Sequence, residues 1–467
     1  MPALLTILGL LALVWGTIYL ARGSLLVGGL AFILAGNLFG FQFASFHLGP
    51  IPLTVDRILL VVLLVAYAVH WRLGRTQRAS PTGADYLAAA FAAVLVASTF
   101  THAWRTTLPE QVSPIYRLLA GYLMPLVLYW IARQAPLSER NVKFVQAALA
   151  IFGVYLGATA LLEITQQWWA VFPHQIADPK VGIHFGRARG PMVQSVSLGL
   201  ALAVCLLCAL VWWPRLKRPG QLLLAASLPL YFAGLYFTYT RSVWIGVALG
   251  LPIVLGLVLT APWRRWVLGG MLAAGVVVFA ATGLEHFLSF ERESSASNAR
   301  ESAALRGNIA YVSWLMFLDR PLLGVGFGHY PEEKLPYLAD RSTELKLAPL
   351  RDWVHHLTLL SLLTETGAVG LGLFLAMLAA WGREAWRIYR DAQVPDWARS
   401  QAVLTLGALV IYLCQTLFHE LSYMPFDNLL VFFLAGVTMS LKPLAATTTR
   451  AIAAVAPAPQ AVAVASC

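Results

Sequence analysis

His355 and His356 stand side by side where a charged stretch of the chain gives way to an apolar one. An imidazole titrates near neutrality, so a histidine at such a boundary is a candidate general base. Four arginines belong with it. Arg187 and Arg189 precede an apolar run starting at Pro191, Arg241 sits in the turn Thr240-Arg241-Ser242 between two apolar runs, and Arg306 lies in the charged stretch itself. Guanidinium groups stay charged at any working pH and bind phosphate through paired hydrogen bonds. A base among arginines suits transfer of a group off a phosphate or pyrophosphate. Other uses stay open: interfacial arginine snorkels to lipid phosphate or pairs with carboxylates, and a histidine at a helix start also serves as a cap or packing residue.

The charged stretch spans 72 residues, 284–355, and holds ten of the 22 acidic residues with eight Lys or Arg. The remainder is mostly apolar: 59% of the 467 residues are hydrophobic and only 12% charged. A helix crosses a bilayer in roughly 20 apolar residues, and thirteen runs near that length fall between residues 4 and 441. An all-α polytopic membrane protein is expected, with the lipid bilayer as its solvent. The net charge of +11 does not point to nucleic acid, because it collects in short connections at 71–78, 133–143, 214–218, 264–265 and 383–399 and at Lys442 with Arg450. These alternate along the chain and mark the cytoplasmic side. The other side receives 39–51, 101–115, 163–190, 239–242, 284–355 and 420–426, and with them every arginine and histidine named above.

One crossing plus a partial helix in the first 46 residues gives about twelve transmembrane helices with both ends cytoplasmic. No small-residue cleavage site follows the first apolar run, so a retained span is expected there. The expected organisation is transmembrane helices over 1–283, one large loop over 284–355, further transmembrane helices over 356–441, and a disordered tail over 442–467. Cys205 and Cys208 share an apolar run with no histidine near them in sequence, which favours buried hydrophobes over a metal pair. Neither a disulfide framework nor a metal site is implied, and no cofactor is expected.

Within the loop, Ser297 or Asn298 caps a predicted helix reaching about Asp319, with Leu305, Ile309, Val312 and Met316 at helical spacing. Arg320-Pro321 ends it. Gly324, Gly326 and Gly328 follow a helix rather than a strand, which is the wrong context for a nucleotide-phosphate loop. His356 is expected at the start of the next helix, where the dipole favours the neutral base. His355 would point about 100° away, so one of the pair is expected to face the site. Glu365, nine residues further on, is expected to pack or to make a polar contact between helices.

His356-Leu357, nine residues, Gly367, two residues and Gly370 resemble the His-[Asn/Ser/Gln]-x9-Gly-x-x-[Gly/Thr/Tyr] motif of the O-antigen ligase family, within the wider group that includes O-antigen polymerases. Leu357 departs from it, standing where a polar residue is usual. Arg189-Gly190-Pro191, Thr240-Arg241-Ser242, and Arg306 with Trp314, Pro321 and Gly324-Val325-Gly326 are similar to looser elements of the group. Together with the topology, the resemblance covers roughly residues 84–441. It implies a GT-C-like, metal-independent glycosyltransferase in the bacterial inner membrane with its site facing the periplasm. The implied donor is a glycan on undecaprenyl pyrophosphate and the implied acceptor a sugar of the lipid A–core. Arg189, Arg241 and Arg306, with Arg187 and His355 nearby, would bind the donor, and His356 would act as an inverting base. An O-antigen polymerase, a ligase of glycans to protein, and a transporter are the competing expectations. The absence of an internal repeat and of charges deep in the spans counts against the last.

Overall fold

The computed structural model describes residues 16–441 apart from 17, 21, 41–44, 49–50, 78, 102–111 and 290–295. Most of the first apolar run and the tail 442–467 lie outside the described residues. The remaining apolar runs wind into helices: α1 (Leu25–Leu38), α2 (Val55–Arg72), α3 (Gly83–Phe100), α4 (Pro114–Gln134), α5 (Glu139–Ile164), α6 (Ser195–Trp212), α7 (Arg218–Phe237), α8 (Arg241–Val258) and α9 (Ala261–Ser289). The loop helix α10 (Ala296–Asp319) follows, and then α11 (Thr358–Arg390), α12 (Asp396–Thr416) and α13 (Pro425–Met439).

Among the described residues, eight of these helices, α3 to α8 with α11 and α12, are long and apolar enough to cross a membrane. The chain is an α-helical polytopic membrane protein. α1 and α13 are shorter, with 14 and 15 residues. The apolar run beginning at residue 24 does not stay helical to residue 46. Its helix stops at Leu38, and a short antiparallel hairpin follows, β1 (Ser45–Leu48) on β2 (Ile51–Thr54), with Ser45 opposite Thr54. Four-residue strands leave no alternating signature in a continuous apolar run, so the all-α expectation passes over them.

α6 forms the centre of the bundle. It is buried along 89% of its span, against 17% for α7 at the periphery, as expected of a helix that is apolar all round. The connections expected on the cytoplasmic side meet one another at one end. The Gln77 amide donates to the Gln134 carbonyl at 2.8 Å, Ser440 Oγ donates to Ala135 O at 3.1 Å, and Arg215 reaches the Asp396 carbonyl at 2.8 Å. These contacts tie together the ends of four helices, α4, α6, α12 and α13, with the 77 loop.

The long loop folds against itself and then into the bundle. The helix expected from Ser297 or Asn298 to Asp319 spans Ala296–Asp319, while α9 continues past the expected loop start at 284 as far as Ser289. Ile309, Val312 and Met316 are fully buried, in a small core completed by Val325, Tyr330, Leu347 and Leu350. Lys334 is also fully buried. Burial pulls its ammonium pKa down to about 8, and it donates to the carbonyls of Leu350 and Trp353, fixing the segment that leads into His355.

Gly324-Val325-Gly326 meets a break in α11. Gly367 has φ 67° and ψ −168°, which separates a short first segment from the rest of the helix. Inside a bilayer such a break strands backbone polar groups that water cannot reach. Here the loop supplies their partners. Val325 N donates to Thr364 O at 3.0 Å and Gly326 N to Glu365 O at 2.9 Å, while Ala368 N donates to Pro321 O at 2.8 Å and Val369 N to Leu322 O at 3.3 Å. The two backbones lie so close that a Cβ on Gly367 would sit 2.2 Å from Leu322 O, and one on Gly324 2.4 Å from Glu365 C.

Gly367→Ala is therefore expected to undock the loop. This positive-φ, extended-ψ conformation is essentially open only to glycine and costs another residue about 1–3 kcal/mol, before the clash is counted. A lower melting temperature in detergent and new proteolytic cleavage within 320–355 are expected. A variant as stable and as protease-resistant as the parent would show that the glycine is dispensable.

Candidate active site

At the other end of the bundle the structure encloses a cavity of about 1230 Å³. Its wall is assembled from distant parts of the chain: Asp56 and Arg57 at the start of α2, Gly182 to His184, Arg306 of α10, Trp353 to His356, and His419, Glu420 and Tyr423 between α12 and α13. These belong to four of the segments expected on the non-cytoplasmic side, or border them. The remaining wall is mostly apolar, with Asn37, Gln194 and Ser197 as its polar members. Leu64, Leu119 and Val127 line the cavity and are also exposed at the surface by 39%, 52% and 39%, so the cavity opens sideways through the flank of the bundle.

Both histidines of the pair reach this wall, although one was expected to point away. The reason is that α11 starts only at Thr358, so His355 and His356 lie on extended chain rather than on a helix. His355 is 2% exposed, packs its ring against Tyr330 with centroids 3.6 Å apart, and has no hydrogen-bond partner for either nitrogen among the described residues. Burial first, and then the Arg117, Lys334 and His356 charges, hold its pKa well below the ordinary histidine value. His356 is half-buried beside Trp353, and its pKa is lowered by burial and then by Arg306. The dipole of α11 is not needed to keep it neutral. Leu357 makes no side-chain cap for α11. Thr358 next to it carries the polar contacts instead: its amide and hydroxyl donate to His419 O at 3.0 and 2.7 Å, and the hydroxyl accepts from Leu421 N at 2.8 Å.

The four arginines occupy different places. Only Arg306 lines the cavity. Arg189 is 1% exposed and committed to backbone: Nη1 donates to Val181 O at 2.7 Å, and Nη2 to Ile176 O at 2.7 Å and Asp178 O at 3.1 Å. Its own amide and that of Gly190 donate to the Glu163 carboxylate at 2.9 and 2.8 Å. Arg189 thus shapes the 176–181 segment, directly before the cavity-lining Gly182 to His184. Arg187 follows that segment without being part of the wall, its amide bonded to His184 O at 3.1 Å. Arg241 opens α8 beside Ser242, whose hydroxyl lies 2.8 Å from Nε2 of the cavity-lining His419. Arg241 itself is not in the wall.

A second ionic group lies directly behind the wall. Arg117 enters from the π-helical turn Arg117–Leu123 of α4. It pairs with Glu365 at 2.9 Å and Glu420 at 3.7 Å, donates to Ser422 Oγ at 3.0 Å and Ser361 Oγ at 3.3 Å, and stacks on Phe327 and Tyr423. Glu365 sits two residues before the break at Gly367, so its expected polar contact between helices is this ion pair. Glu420 lines the cavity: Oε1 accepts from Ser422 N at 3.1 Å, and Oε2 has no hydrogen-bond partner among the described residues. Burial raises its carboxyl pKa against the pull of Arg117. Neither Arg117 nor Glu420 was expected from sequence. An arginine within the apolar run 116–132 and the pair His419-Glu420 between two apolar runs were the signals, since ionisable residues in or beside spans are rare without a purpose.

Arg117→Met leaves two buried carboxylates facing each other without a cation. Removing one partner of a buried pair costs about 3–5 kcal/mol, so a marked drop in melting temperature is expected. Glu365→Gln in the same chain should recover part of the loss. A single variant that melts like the parent would refute the role of Arg117 as their counter-ion.

No curated protein matches the chain. A family model described as O-antigen ligase matches residues 225–375. That stretch holds Arg241, Arg306, His355, His356, Glu365, Gly367 and the Gly324-Val325-Gly326 turn, while Arg187, Arg189, Arg117 and Glu420 fall outside it. Over this stretch the chain is similar to the O-antigen ligase family.

Proposed function

We propose that the chain is an O-antigen ligase. In this reading it transfers a polysaccharide from undecaprenyl pyrophosphate to a sugar hydroxyl of the lipid A–core, at the periplasmic face of the bacterial inner membrane. The carrying observation is the cavity, which joins His356 and Arg306 to an apolar wall open through the flank of the bundle. Two lipid-linked substrates need that combination: a polar chamber for pyrophosphate and sugars, reached from the side. The architecture is read as GT-C-like.

His356 accepts the proton of the acceptor hydroxyl as its oxygen attacks the anomeric carbon. The bond from that carbon to the pyrophosphate oxygen breaks, the pyrophosphate leaves with the electron pair, and the anomeric configuration inverts. Arg306 neutralises the charge that grows on the leaving group, the kind of electrostatic contribution that is usually largest in such transfers. Arg241 joins it from the neighbouring turn when donor is bound. Arg187 and Arg189 serve the donor through the chain segment they order, and His355 borders the same chamber. No metal is required, because a cation is already built into the protein.

The test uses purified protein with a lipid-linked glycan donor and offers lipid A–core or a second lipid-linked glycan as acceptor. Transfer to lipid A–core that vanishes in His356→Ala, with donor left over and the protein still folded, is the expected result. Near-parental transfer by that variant would remove His356 as the base, and elongation of the lipid-linked glycan alone would make the protein a polymerase. Arg241→Lys should lose at least several-fold if phosphate is held through two hydrogen bonds.

The pH profile gives an independent test. The base must be neutral, so the rate falls on the acid side as His356 takes up a proton. Burial and Arg306 depress its pKa, which puts that limb below the ordinary histidine value of 6.5. Arg306→Gln removes the positive charge, and the limb should move to higher pH in addition to any loss of rate. An acid limb at the same pH in both proteins would contradict the assignment.

A further inference from the structure

A second cavity, of about 510 Å³, lies at the far end of the molecule between Arg22, Ser24, His70, Arg75, Pro136 and Asn141. Helix α2 fixes its position. Asp56 in the first turn of α2 lines the large cavity, and His70 in the last turn lines the small one. At 1.5 Å per residue the two lie roughly 20 Å apart along the helix, so they cannot share one small ligand. The volume falls within the about 300–1,000 Å³ usual for small-ligand pockets.

The groups around this cavity are nearly all donors or positive charges. Arg22 and Arg75 are exposed at its mouth. His70 is 5% exposed, and neither ring nitrogen has a hydrogen-bond partner among the described residues. A buried polar group left in this state costs stability unless something outside the chain satisfies it. Ser24 caps α1, a helix of 14 residues, so the positive end of a helix dipole also faces the space. Asn141 reaches across to Ser24, with Nδ2 3.3 Å from Oγ. No Asp or Glu lines the cavity among the described residues. The nearest in sequence, Glu139, is held by Lys143 at 2.6 Å.

We propose that this cavity is a phosphate-binding site and that its occupant is the headgroup of an anionic phospholipid. Two guanidinium groups, an unpartnered imidazole and a helix N-terminus form a recognition set for a phosphate oxyanion. The cavity lies among the ends of membrane helices, at the end where the basic connections gather, and there the phosphate at hand is that of an acidic lipid. The proposal does not depend on the glycosyltransferase reading. Its consequence is a protein whose cytoplasmic-end helices α1, α2 and α5 are tied together by lipid.

The test is native mass spectrometry of the full chain extracted from membranes containing phosphatidylglycerol and phosphatidylethanolamine. The parent should retain phosphatidylglycerol selectively, and Arg22→Gln/Arg75→Gln should lose about ten-fold or more of that adduct, the equivalent of ~1.4 kcal/mol. Arg22→Lys/Arg75→Lys keeps both charges and should retain most of it. Arg22→Gln alone alters one exposed side chain and should still weaken the adduct, which covers the case of a double variant that fails to fold. Millimolar inorganic phosphate supplies the second arm: a rise in melting temperature seen in the parent and absent from the glutamine variants would support the site with free phosphate as its occupant. Equal lipid retention in parent and glutamine variants, with phosphate stabilising neither or both alike, would overturn the proposal.

Discussion

Four backbone hydrogen bonds, exchanged between a loop and a broken helix, hold the candidate site in place. The break at Gly367 exposes carbonyls and amides of α11 to an environment without water, and the 321–326 segment accepts and donates in return. Neither partner is stable in this form alone. The loop needs the helix to satisfy its glycine turn, and the helix needs the loop to survive its own interruption. Docking the turn also sets where α10 leaves the bundle, and therefore where Arg306 enters the cavity.

Arg117 extends the same construction by charge. It binds Glu365 just before the break and Glu420 in the cavity wall, joining α4, α11 and the turn between α12 and α13 around one guanidinium. Burying three ionisable groups is costly, and the arrangement holds because the planar fork satisfies four neighbours at once. The same positive charge faces His355 and disfavours its protonation. A structural cation and the electrostatics of the cavity are here one feature.

Much of this was legible in the sequence wherever a residue's type already fixes its behaviour. The helix over 296–319 shows in the spacing of Ile309, Val312 and Met316, and the end-to-end sorting of basic connections shows in their alternation. His356 and Arg306 could be placed together because topology brings their segments to one side. What the sequence does not carry is the use each charge is put to. Arg189 reads like Arg306, yet its hydrogen bonds are consumed by three carbonyls seen only once the 163–190 segment is folded. Glu365 lies nine residues beyond His356, and nothing local reveals that its partner sits 248 residues upstream. The glycines at 324, 326 and 328 stood out as a Gly-rich stretch after a helix, but 324 and 326 meet another stretch of the same backbone, which no spacing rule anticipates.

The sideways opening of the cavity at Leu64, Leu119 and Val127 changes what concentration means for this protein. A reactant that enters through the flank is dissolved in the bilayer, so its encounter rate follows its mole fraction among lipids and not its amount per volume of solution. Adding inert lipid or detergent would slow turnover as though reactant had been removed. Confinement to a plane also turns the search for the entrance into a two-dimensional one, in which the partner already shares the protein's depth and orientation.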